Sequence, residues 1–267
     1  MKQFKQKLSD FSYSLFNLTL ITPSLKTKEH FHKTRIATRK LESLLRLFKF
    51  GISKKLFCKT NNLLGKIRKK AGTIRNHQLF LKTIDKATFS DRKLKKSFTT
   101  HIQKNIQYSK AEFCDFAKKH NSKLLFLLEQ VNLQIKPLPI RKCRKIKRSK
   151  IRGFKKRVEA AIRNKQIRFK KIHEIRITAK KFRYQLEILS EIHSNKKYQS
   201  AIKQLKKLQK AFGRITDHKL FIRHMVKLRQ YYKKESNISI KEFDHLIQQA
   251  KRRFRKAKSS LGLEKII

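Results

Sequence analysis

Apolar residues return every three or four positions through most of this chain. Phe4, Leu8, Phe11, Leu15 and Leu18 step by four, three, four and three, which predicts a first helix with one buried stripe. Pro23 and Ser24 break it, and Ser24 is placed to cap the next helix. That helix is expected to run to about Phe50 with Leu41, Leu44, Leu45 and Phe48 inward, and Gly51 can end it. A third, from Lys54 to Ala71, carries Leu56, Leu63, Leu64 and Ile67; Gly72 then suits the left-handed position just past a helix end, and Asn76 can cap the helix that follows. Ser90 can cap another, through Phe98, Ile102, Ile106, Phe113 and Phe116, and Asn121 to Asn132 reads as a further helical piece. Pro137-Leu138-Pro139 is the clearest break, dividing the chain into halves 1–136 and 137–267. Beyond it, Tyr198 to Phe212 and Leu220 to Tyr232 are helical, and Ile240 to Ala257 forms a last helix with Phe243, Leu246, Ile247 and Phe254 inward. No segment alternates with period two, so the fold class is all-α.

The polar positions follow a pattern of their own. His32, Arg35 and Arg39 are spaced three and four apart, and at about 100° per residue they share one side of a helix. Lys28 and Arg46 extend this stripe on the helical wheel, opposite the leucines. The design recurs as His173, Arg176 and Lys180, with Phe182, Leu186 and Leu189 as the apolar back. The offset is constant, since 173 − 32, 176 − 35 and 213 − 72 all equal 141. Gly72 and Gly213 each stand forty residues past their His, and Thr73–Phe80 then matches Arg214–Phe221 without a gap. The chain is therefore read as two related halves. Asp217, at the position of Asn76, is a second candidate cap.

Composition decides what those stripes can meet. Lys and Arg total 72 against 17 Asp and Glu, a net charge of +55. Solvated helix faces mix signs, so an excess this large calls for a polyanion: polyphosphate, nucleic acid or an anionic membrane surface. The run from Arg141 to Arg157 is especially cationic and reads either as a basic arm or as an anion-facing helix, with helix favoured from Phe154 onward. No apolar run is long enough to span a bilayer, and the basic helices use their apolar faces for packing, so a membrane role ranks last. The N-terminal lysines ahead of an apolar run resemble a secretory signal, but the apolar residues are spaced and Asp10 interrupts them, so a packed helix is expected. Cys58, Cys114 and Cys143 are odd in number and far apart, which reads as buried thiols in a reducing, cytoplasmic compartment.

Arg brings planar, bidentate donors to phosphate oxygens, Lys a mobile point charge, and His a hydrogen bond when neutral or a charge when an anion raises its pKa. A ladder of such groups suits a linear chain of repeating anions. Catalysis finds little support. Metal-assisted phosphoryl transfer needs clustered carboxylates, and none pair on the stripes; the phosphate-cradling Gly loop ending in Gly-Lys-Ser/Thr is missing. A phosphohistidine at His32 or His173 would lack an activating carboxylate, since Glu174 points elsewhere on its helix. No enzyme activity, metal or cofactor is expected.

At these residues the chain resembles the CHAD family, named for histidines on an α-helical domain. His32-x-x-Arg35-Ile36-x-x-Arg39-Lys40 and Ala71-Gly72-x-x-Arg75-Asn76 carry the likeness in the first half. His173-x-x-Arg176-Ile177-x-x-Lys180-Lys181-x-Arg183-Tyr184-x-x-Glu187 and Phe212-Gly213-x-x-x-Asp217 carry it in the second. Glu42 stands where the family usually has Arg, and Asn76 where it has Asp. The resemblance implies two pseudo-symmetric four-helix bundles forming one domain, with the cationic helices lining a basic central cavity or groove. It implies inorganic polyphosphate as the ligand, association with polyphosphate granules, and binding rather than catalysis. It carries the binding role to His32, Arg35, Arg39, Lys40, His173, Arg176, Lys180, Lys181 and Arg183; Lys28 and Arg46 are added from the wheel. Arg75, Tyr184 and Asp217 match positions of structural or binding role. The rival reading is an RNA- or DNA-binding protein using the same surfaces, because phosphate contacts are sequence-independent. Against it, the Phe residues follow core spacing and Trp is absent, which leaves few stacking platforms.

Overall fold

The structure, a computed structural model, describes residues 2–20, 27–47, 49–87, 89, 91–135, 153, 156, 168–193, 196–235 and 240–259. Among these it contains seven α-helices and no strand: α1 (Lys2–Leu20), α2 (Lys28–Leu47), α3 (Lys54–Asp85), α4 (Arg92–Gln134), α5 (Phe169–His193), α6 (Lys196–Glu235) and α7 (Ile240–Ser259). A single 3₁₀ turn, Lys49–Gly51, follows α2, which ends short of Phe50.

The heptad-like stripes do what their spacing requires. Leu8 and Leu15 of α1, Leu41, Leu44 and Leu45 of α2, and Leu186 and Leu189 of α5 are all buried, as are Phe243, Leu246 and Ile247 of α7. In the first half α1 packs on α2 and α4, and α3 packs on α2 and α4. In the second, α6 lies between α5 and α7. The halves meet where α2 packs on α5 and α3 touches α6. Among the described residues, four helices precede residue 137 and three follow it. The expected boundary at Pro137–Pro139, most of the cationic run 141–157, Pro23, Ser24 and Cys143 lie outside the described residues.

The main core does not stop at the midpoint of the chain. Ile222, Met225, Leu228 and Tyr232 of α6 and Phe243, Leu246 and Ile247 of α7 belong to the same apolar cluster as α1 to α4. A smaller cluster, Ile172, Ile175, Ala179, Leu208, Phe212 and Ile215, joins α5 to α6. The reason is length. With 40 residues α6 runs about 60 Å at 1.5 Å per residue, so its first part serves α5 while its second reaches the other half.

Several expected breaks are absent. Gly72 sits inside α3 and Gly213 inside α6, both buried, and both helices run on without a turn. Asn76 and Asp217 are therefore helix-interior residues, not caps. Neither glycine adopts a left-handed backbone, and each has an arginine against it. A Cβ on Gly72 would lie 3.7 Å from Nε of Arg35, and one on Gly213 would lie 3.9 Å from Nε of Arg176. The glycines are where α2 and α5 lay guanidiniums across α3 and α6. Likewise the pieces expected around Phe98–Phe116 and Asn121–Asn132 are one 43-residue α4. Its cap is Asp91, whose Oδ1 accepts from the backbone of Lys93 at 2.7 Å and Leu94 at 3.1 Å. Ser90, expected in that role, lies outside the described residues. Cys114 is buried as expected, but Cys58 faces solvent on α3, because the stripe of Phe57, Thr60 and Leu64 turns its own side outward.

This placement makes a testable distinction. In a left-handed helix terminator, Gly→Ala would cost about 1 kcal/mol or more through strain. Within a helix, where an added methyl meets only ordinary van der Waals contact, Gly72→Ala is expected to stabilise the fold by about 0.5–1 kcal/mol. Thermal unfolding reads the sign directly, and a lower midpoint would restore the terminator.

Candidate functional site: two facing cationic ridges

The ridges stand on α2 and α5, which pack on each other, and cations of one ridge act on those of the other. Arg35 is the centre of the first. Burial together with the fields of Arg39, Arg176, Arg68 and Arg75 pushes its pKa down to about 10. Lys180 is the centre of the second. Burial, then Arg176, Arg39 and Arg35, lower its ammonium to about 7, against a smaller opposite pull from Asp217. Cations from the two halves therefore crowd one space. Arg39 is lowered by burial and is also affected by Tyr184, Arg68, Glu42 and Arg176. Lys181 is lowered by burial and by Arg46, with Glu42 opposing.

The two histidines flank this cluster differently. His32 is exposed; burial of part of its ring, Arg75, Arg35 and Lys180 all lower its pKa. His173 is half-buried, its ring stacked on Phe169 at 6.2 Å, and burial, Arg176, Lys180 and Arg223 lower it. Its Nδ1 is enclosed and makes no hydrogen bond among the described residues, so the imidazole meets the site by its other edge. These shifts favour the neutral imidazole, which can donate one hydrogen bond. The Nε of Arg176 and of Arg46 are also enclosed without a hydrogen-bond partner among the described residues. Buried donors left open in this way are costly.

Two carboxylates sit within the cluster. Glu42 is buried and accepts from Nε of Arg68 at 2.9 Å. It holds a neighbouring arginine of α3 in place. Asp217 remains reachable by water yet is crowded by protein, and this crowding raises its carboxyl pKa against the pull of Arg176 and Lys180.

Of the residues expected from the sequence, His32, Arg35, Arg39, His173, Arg176, Lys180 and Lys181 come together. Arg46 joins them beside Lys181, Arg75 beside His32, and Tyr184, which is buried, beside Arg39. Two do not join. Lys40 turns to α1, with its ammonium 5.1 Å from the ring of Phe11. Arg183 pairs with Glu187 at 3.6 Å and lies over Tyr184. Lys28 opens α2, and its side chain lies outside the described residues. Two members were not legible in advance. Arg68 of α3 acts on Arg35, and the field of Arg223 on α6 reaches His173 from further along its helix; the two positions do not correspond under the 141-residue offset.

A family profile for the CHAD domain matches residues 22–225. The chain belongs to the CHAD domain family. The fold agrees. The crystal structure of the CHAD domain from the plant Ricinus communis superposes with a TM-score of 0.74 at 18% identity, covering 97% of this chain and 91% of that one. PptA from Streptomyces chartreusis superposes with a TM-score of 0.57 at 10% identity, covering 96% of this chain and 98% of that one. No curated protein matches this CHAD domain in sequence. Among the described residues it has no helix long and apolar enough to cross a membrane, and no group of His, Cys, Asp and Glu arranged to hold a metal ion.

Proposed function

We propose that this CHAD domain binds inorganic polyphosphate between the ridges of α2 and α5, with His32, Arg35, Arg39, His173, Arg176, Lys180 and Lys181 as the contacting groups, and that it associates with polyphosphate granules in the cytoplasm. The observation that carries this reading is the crowding of like charge across the two halves. Arg35, Arg39, Arg176 and Lys180 act on one another, and the carboxylates that oppose them most are Glu42 and Asp217. Such a cluster costs free energy until an anion enters, and that cost returns as affinity. The distribution favours a chain over a compact anion. His32 to Arg39 and His173 to Lys180 each span seven residues, about 10 Å of helix at 1.5 Å per residue. Arginine forks at intervals along both sides match successive phosphate units.

The activity proposed is binding. Among the described residues no group of His, Cys, Asp and Glu is arranged to hold a metal ion, and Glu29 and Glu174, the carboxylates that act on His32 and His173, make no hydrogen bond to either imidazole. The direct test is retention of long-chain polyphosphate against single-stranded RNA at equal phosphate concentration. Polyphosphate should win; equal displacement would make this a general polyanion binder, and shortening of the chains with magnesium present would make it an enzyme.

Binding should also take up protons. In the free protein Lys180 titrates at about 7, and His32 and His173 lie below the usual 6.5. A polyanion beside them raises all three. The bound state then holds more protons than the free state, so affinity falls as pH rises. The expected result is tighter binding at pH 6 than at pH 8.5, with proton uptake near pH 7.5 seen in calorimetry across buffers of different ionisation heat. An affinity flat over that range would remove Lys180 and both histidines from the contact.

A further inference from the structure

The two ridges are not equivalent at their outer ends. Each histidine has one cation beside it from the neighbouring long helix, and the two cations come from different places. For His32 it is Arg75, three residues past Gly72 on α3. The matching position on α6, 75 + 141 = 216, is Thr216, whose hydroxyl donates to the carbonyl of Phe212 at 2.8 Å. For His173 the cation is Arg223, ten residues past Gly213. Measured from the glycine crossings, the cation that acts on His173 therefore lies seven residues, about 10 Å, further along its helix than the one that acts on His32.

The orientation of α6 supports this. Gly213 lies under Arg176, and three turns later the ring of His224 stacks on Phe80 of α3 at 4.8 Å and 26°. Positions eleven apart share a face, so these two contacts fix the rotation of the helix. Arg223 and Lys227 then stand one turn apart on the flank of that face, both exposed, and neither makes an ion pair among the described residues. Their counterparts at the same offset, Lys82 in the last turn of α3 and Lys86 at its C-cap, bracket Asp85, whereas Val226 stands between the α6 pair.

Resting on the polyphosphate reading above, we propose that Arg223 and Lys227 form an outer subsite that holds phosphate units of the same chain running out past His173, so that the second half grips a longer stretch than the first and the domain selects for chain length. Phosphates at the ridges would be held by half-buried forks; those at the outer subsite would be held by exposed, salt-sensitive charges.

The test compares Arg223→Gln/Lys227→Gln with Lys82→Gln/Lys86→Gln, which removes the same two charges from the equivalent place. Each is titrated with long-chain polyphosphate and with tripolyphosphate. The α6 variant should lose about tenfold in long-chain affinity, with the slope of log K against log salt reduced by about 1.4, or 0.7 per contact for a single-stranded polyanion. Its affinity for tripolyphosphate should fall by less than about threefold, and the α3 variant should change both ligands by less than about threefold. Equal losses in the two variants, or equal losses for the two ligands, would overturn the outer subsite while leaving the ridges standing. Wild-type protein that retains neither ligand would overturn the polyphosphate reading itself.

Discussion

Arg35→Gln/Arg176→Gln is expected to lose about a hundredfold in affinity for long-chain polyphosphate, the equivalent of about 3 kcal/mol for two charge-assisted contacts at 1.5 kcal/mol or more each. These two residues lie at the glycine crossings, one from each half, and each acts on charges of the other half. The same variant separates a binding role from a structural one. Removing two guanidiniums from a crowded positive cluster relieves repulsion, so the unfolding midpoint should hold or rise in the absence of ligand, and Lys180 should titrate higher. A fall in stability matching the loss of affinity would mean that the arginines are scaffold, and unchanged affinity with an intact fold would place the ligand elsewhere. Polyphosphate itself should raise the midpoint of the wild-type protein and do so far less for the variant, because a ligand stabilises in proportion to its binding of the folded state.

Phe98→Ala should have the largest effect on stability, about 3–5 kcal/mol for a fully buried aromatic ring. Phe98 of α4 is enclosed by rings from both halves: Phe89 at 5.7 Å, Tyr232 at 5.1 Å and Phe243 at 4.8 Å. Beside it Ser97 Oγ and the Tyr232 hydroxyl share a hydrogen bond at 2.9 Å. Because these partners belong to α6 and α7, the loss should be felt by the whole chain. Calorimetry should show one transition displaced downward by roughly 10 °C. A split transition with only the first half destabilised would mean that the halves fold independently and that the shared core contributes little between them.

The stripe spacing alone determined a good deal. Apolar steps of three and four placed Leu8, Leu15, Leu41, Leu186 and Phe243 in the core, and polar steps of three and four placed His32, Arg35 and Arg39 on one face, because helical geometry converts spacing into direction without reference to any neighbour. The constant offset located the second ridge for the same reason, and the paired motifs identified the family. Helix ends were another matter. Gly72 carries the local mark of a terminator, and a single glycine in a helix costs only about 1 kcal/mol, which the packing of a 32-residue helix readily outweighs. What it provides, space for a guanidinium from α2, is a long-range fact and has no local mark. Glu42 reads locally as a flaw in a cationic stripe, and only its contact with Arg68, 26 residues away, makes it a support. Lys40 and Lys181 occupy matching positions, yet one meets Phe11 of α1 and the other meets Arg46 and Glu42, because α1 covers α2 on one side while α2 itself covers α5. Spacing states which way a side chain points from its own helix axis. What it meets there, and hence which cations share one field, was decided by how seven helices are laid against each other.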